Sequence, residues 1–176
     1  MNKKISNYLT LLTKILGWLL VCLFMSALTF CAYVMKAPST KWLKDNFVKN
    51  EQSINKIKEI VCRSLGELYI SEGRVEVESK KISKNDIELI QSMLKQIDAN
   101  VVEKEKEGCN VSIEMHGIGF AGEGEFIYYS FGTPLDNYKQ VEYIEQPKNP
   151  NNKPYYEAYY KVFLKKGWYI RYISRS

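Results

Sequence analysis

Ile15–Met35 reads ILGWLLVCLFMSALTFCAYVM, twenty-one residues without a charge, set between Lys14 and Lys36. At ~1.5 Å of rise per residue such a helix is about 31 Å long, which matches the hydrocarbon core of a bilayer. A buried helix of a water-soluble domain would carry a polar stripe, and this one is apolar on every side. The run predicts a membrane-spanning helix, and the lipid bilayer is its expected partner. It exceeds the ~7–15 apolar residues of a cleaved signal peptide, and Tyr33-Val34-Met35-Lys36 offers no small-residue cleavage site. The chain is therefore expected to keep the segment as an anchor. Lys3, Lys4 and Lys14 precede it without an acidic residue, while Lys36, Lys41 and Lys44 follow it, so the positive charge on the two sides is nearly balanced. The short tail 1–14 is the easier end to retain in the cytoplasm. This places the expected domain 36–176 in the periplasm, carried by the bacterial inner membrane.

Removing the three lysines before residue 36 leaves 22 basic and 20 acidic residues. The charge is scattered, so the domain lacks the basic stripe of a nucleic-acid-binding protein. Its length suits one domain with its own core. Two of the four cysteines, Cys62 and Cys109, fall within it. In an oxidising compartment they could pair; otherwise they are ordinary buried thiols.

Ser39 or Thr40 can cap a helix, and apolar residues at Leu43, Phe47, Ile54, Ile57, Val61 and Leu65 give it one buried face over about 41–65. Strands are expected from about residue 68: Glu67–Ile70 and Arg74–Lys80 read as extended, and Val75 and Val77 alternate with charged residues, as in a half-buried strand. Ser83-Lys84-Asn85-Asp86 has capping-box spacing, and Ile87, Ile90, Leu94, Ile97 and Val101 follow at helical steps, predicting a helix over about 84–106. The Glu103-Lys104-Glu105-Lys106-Glu107 run reads as its solvated end. From residue 109 onward the period is two. Strands are expected at Val111–His116, Phe126–Phe131, Val141–Ile144, Tyr156–Leu164 and Trp168–Tyr172. Three prolines and three asparagines make Gln146–Pro154 a loop. The expected fold is α+β: an N-terminal transmembrane helix, then a mainly antiparallel meander of about five to six strands with two helices on one face.

Gly117-Ile118-Gly119-Phe120-Ala121-Gly122 matches the dinucleotide-binding G-x-G-x-x-G. That pattern works at a strand-to-helix turn, where helix amides hold the pyrophosphate. Here Glu123-Gly124-Glu125-Phe126-Ile127-Tyr128 continues as strand, and two glutamates would repel phosphate. The glycines better suit a hairpin connection, and Gly117, Gly119, Phe120, Gly122, Glu123 and Glu125 form a candidate partner-binding turn. His116 is the only histidine, so a Ser-His-Asp, Cys-His or histidine-bearing metal site would have to use it. Glu114 could orient its ring, but the spacing supplies no further ligand. No catalytic residue, metal or cofactor is therefore assigned. Six tyrosines between Tyr155 and Tyr172 suit strands, and an exposed tyrosine row would suit a protein-binding face.

Val75–Lys80, Ile82-Ser83 with Asp86, Leu94 and Ile97, then Gly117–Gly124, Tyr128-Tyr129-Ser130 and Gly167-Trp168-Tyr169 together resemble a group of small bacterial membrane-anchored proteins with an exported α+β domain and no known activity. The resemblance covers residues 74–172. It implies a bacterial envelope setting, and it carries neither an activity nor a site residue.

The functional expectation is a non-enzymatic, protein-binding domain, with an immunity protein that neutralises a toxin as its specific form. The alternatives are an assembly or accessory factor of an envelope complex, and a small hydrolase or ligand-binding protein using His116.

Overall fold

The computed structural model describes residues 14–26, 37–78, 82–120, 123–133, 138–144 and 157–175. The chain divides into two compact units, Met1–Lys36 and Ala37–Ser176.

In the first unit, residues 14–26 form a helix (α1) whose large apolar side chains are exposed. Residues 27–35 of the anticipated span lie outside the described residues. Among the described residues no helix is long and apolar enough to cross a membrane. The expected membrane-spanning helix is corrected on that finding: the described helical residues, 14–26, are too few to cross a bilayer's hydrocarbon core.

The second unit begins with a cap. The hydroxyl of Ser39 accepts from the amide of Trp42 (3.2 Å), opening α2 (Thr40–Lys49). The expected long helix is split at Asn50, which leaves helical geometry and bonds through its side-chain amide to the Asn46 side chain and carbonyl. A second helix, α3 (Glu51–Arg63), follows and buries Ile54, Ile57, Ile60 and Val61.

After β1 (Leu68–Ser71) and β2 (Val75–Val77), Ser83 caps α4 (Lys84–Gln96), accepting from the Asp86 amide and donating to its carboxylate. The helix stops ten residues before the expected end. Ile97 caps it, Asp98 takes a positive φ of 61°, and the Ala99 amide returns to the Leu94 carbonyl (2.9 Å). The next residues form β3 (Val101–Lys104), drawn into the sheet between two neighbouring strands. Lys104, expected in a solvated run, is 5% exposed, and its ammonium donates to the Gly66 and Glu105 carbonyls at 2.9 Å.

The remaining strands are β4 (Val111–Phe120), β5 (Glu123–Phe131), β6 (Lys139–Gln140), β7 (Glu157–Phe163) and β8 (Trp168–Arg175). The described residues thus form an eight-stranded sheet in the order β2-β1-β3-β4-β5-β8-β7-β6. It is antiparallel except for the β6–β7 pair. Two corrections follow. The strands exceed the five to six expected, because the extended stretch expected from about 68 forms two strands, 68–71 and 75–77, and 101–104 leaves the predicted helix to join the sheet. Nor is the sheet a simple meander, since β8 inserts between β5 and β7. The expected strand Val141–Ile144 is not one. The Val141 amide still donates to the Lys161 carbonyl of β7 (3.0 Å), but the backbone after it is tied to α2, with the Ile144 amide donating to the Thr40 hydroxyl (2.9 Å) and Lys44 donating to the Glu142 carbonyl (3.2 Å). The predicted loop Gln146–Pro154 lies outside the described residues.

Helices α2, α3 and α4 cover one face. Ile70, Val102, Ile113, Tyr129, Trp168 and Ile170 meet them there. Tyr129 donates to the Leu43 carbonyl of α2 (2.6 Å), and the Trp168 indole donates to Asn55 of α3 (3.1 Å). Cys62 of α3 is joined to Cys109, just before β4, by a disulfide with Cα atoms 5.2 Å apart.

Candidate functional site

Strand register decides which side chains share the face turned away from the helices. Tyr69, Glu103, Ser112, Ser130, Tyr169 and Phe163 lie in one cross-strand row; Val101, Glu114, Tyr128, Arg171 and Lys161 lie in the next. Arg171 organises the middle. Its guanidinium sits 4.4 Å from the Tyr128 ring centre and donates to the Ser112 hydroxyl at 3.1 Å, linking β8, β5 and β4.

The other cations repeat the motif. Arg74 lies 5.2 Å from the Tyr69 ring while clamping the Glu76 carboxylate, and Arg175 lies 6.0 Å from Tyr159. Lys161 is 6.0 Å from Phe163, which is 51% exposed. Tyr138 packs edge-on against Tyr159 at 5.3 Å.

Electrostatics differ between the two ends of this face. Near β2, β1 and β3 a cavity of about 660 Å³ is lined by Glu67, Glu76, Glu78, Glu103 and Glu105, with Arg171 at its far side. Burial pushes the Glu103 carboxyl above its ordinary range, and the charge of Glu114 adds to this while Arg171 opposes it. Burial also raises the Tyr128 phenol to about 12, with Glu114 and Glu103 contributing. Toward β8 and β7 the face carries Arg171, Lys161 and Arg175, the last paired with Glu157 at 3.6 Å.

The sequence candidates are distributed elsewhere. The expected turn residues lie in strands instead: Gly117, Gly119 and Phe120 belong to β4, Glu123 and Glu125 to β5, and residues 121–122 lie outside the described residues, so a strand stands where a dinucleotide site needs a helix. Gly119 stands opposite Gly124, and a β-carbon on either would collide with the backbone of the other strand. Gly117 is packed against the Glu114 carboxylate, and Gly122 lies outside the described residues. Glu123 is exposed at the start of β5. A bulge between Glu114 and His116 turns the two side chains to opposite faces. His116 pairs with Ile127 on the helix-covered side, where burial lowers its pKa against the opposing influence of Glu125 and Glu114. Among the described residues no group of three histidine, cysteine or acidic side chains could hold a metal.

Alternation along β3 and β8 was the signal for the Glu103–Tyr128–Arg171 cluster. It was masked in β3 because the charged run there also suits a helix end. Comparison with family models, curated proteins and solved structures finds no match for the chain.

Proposed function

We propose that the chain is a non-enzymatic protein-binding domain working in the periplasm, and specifically an immunity protein that neutralises a toxin. One observation carries the binding reading: the sheet face away from the helices is a mosaic of tyrosine and phenylalanine rings with arginine or lysine over them. Tyrosine and arginine are the residue types that dominate binding energy at protein interfaces, because they bury large rigid surfaces while keeping a polar tip satisfied. Arg171 is held in place by Tyr128 and Ser112, so little side-chain entropy is lost when a partner docks. The Cys62–Cys109 disulfide supports an oxidising compartment.

The reading is tested in cells carrying the tagged full-length chain, cross-linked before lysis. A single stoichiometric partner, encoded beside this gene and toxic when the gene is deleted, is the expected result. Deletion that never sensitises cells to a neighbouring toxin contradicts the immunity role.

A further inference from the structure

Strand β2 ends the sheet, pairing only with β1 among the described residues. Its inward groups are accounted for. Glu76 sits opposite Tyr69, the Arg74 carbonyl accepts from Ser71 (2.8 Å), and the Glu78 amide donates to Glu67 (3.2 Å). In an antiparallel ladder inward and outward residues alternate, so the backbone groups of Val75 and Val77 point away from β1. Val75 is 42% exposed. An edge of this kind is a template for one more strand.

The acidic cavity adjoins this edge, with Val77 and Glu78 in its wall. Its cations are already engaged: Arg171 with Tyr128 and Ser112, Lys104 with two carbonyls. Glu76 is paired with Arg74. Glu67, Glu78 and Glu103 are without a salt bridge among the described residues. Glu76 and Glu78 are two apart, so they share the helix-free side, while Val75 and Val77 turn to the other. A strand laid along β2 would therefore meet carboxylates with one set of alternate side chains and valines with the other.

We infer that the β2 edge and the adjoining cavity form a strand-addition site for an extended segment of a partner protein in which lysine or arginine alternates with apolar residues. This rests on the protein-binding reading and adds the partner's chemistry to it. Main-chain hydrogen bonds to Val75 and Val77 supply the docking, and the glutamates select the charge.

The test titrates the full-length, isotope-labelled chain with a capped nonapeptide of alternating lysine and valine, following backbone amides by NMR and hydrogen exchange. Val75 and Val77 should shift and become protected. Binding should weaken at least tenfold when glutamate replaces lysine in the peptide, and likewise in the Glu67→Gln/Glu78→Gln variant, which retains its hydrogen-bond acceptors. The same peptide N-methylated on alternate residues of its bonding edge should give no protection. Equal affinity for lysine and glutamate peptides, or unaltered Val75 and Val77 amides, overturns the inference. A cellular partner that cross-links to the sheet face yet leaves these amides unprotected overturns the strand-addition site alone and leaves the protein-binding reading standing.

Discussion

Tyr129 is fully buried between sheet and helix, and its hydroxyl ties β5 to the Leu43 carbonyl at 2.6 Å. Tyr129→Phe should cost about 1 kcal/mol, the usual net worth of one buried hydrogen bond, measured by urea unfolding. A harsher result is expected at Gly124, whose φ of 146° and contact with the Ile118 backbone exclude a β-carbon. Gly124→Ala should destabilise by more than about 1 kcal/mol in the same measurement. Glu103 gives a signed pH dependence. Its carboxyl is raised above 4.5 in the folded state, so the folded chain holds this proton more tightly than the unfolded one. The contribution is present at low pH and is lost as pH rises from about 4.5 through the folded value. Urea titrations should show wild type losing stability relative to Glu103→Gln across that window, with the variant more stable at neutral pH. The strand that follows the glycine-rich stretch was legible in the sequence, because Glu123–Tyr128 alternates as a strand does. The bulge that moves His116 to the helix side was not, since strict alternation placed it beside Glu114.

Elements whose caps are written locally are where sequence expected them: Ser39 opens α2, and Ser83 with Asp86 opens α4. Misread elements are those whose fate depends on distant partners. Val101 continues the helical spacing of Ile90, Leu94 and Ile97, but Val101–Lys104 pairs with both β1 and β4, and that pairing outweighs a frayed helix end. Insertion of β8 between β5 and β7 likewise rests on long-range register that no local pattern encodes. At this scale the disulfide matters most, since it joins α3 to the start of β4 across 47 residues of chain. The chain-entropy model gives about 4 kcal/mol for a loop of that size, so the Cys62→Ser/Cys109→Ser variant should lose stability on that scale in urea. Reductant should lower the wild type to the level of the variant and leave the variant unchanged.

For the whole molecule, three helices on one side of the sheet leave the other side to carry rings and charges instead of a second apolar layer. Cross-strand stacking of Arg171 on Tyr128, Arg74 on Tyr69 and Arg175 on Tyr159 holds that surface in a defined arrangement, with no helix over it among the described residues of 37–175. This is the basis for assigning recognition to the face. The decisive measurement places a photo-cross-linking amino acid at Phe163 on this face, or at Lys56 on the exposed surface of α3, in the full-length chain inside cells. The account predicts that Phe163 captures one partner in stoichiometric yield, that Arg171→Glu abolishes the capture, and that Lys56 captures none. Capture from Lys56 alone, or capture at Phe163 that survives Arg171→Glu, would contradict it.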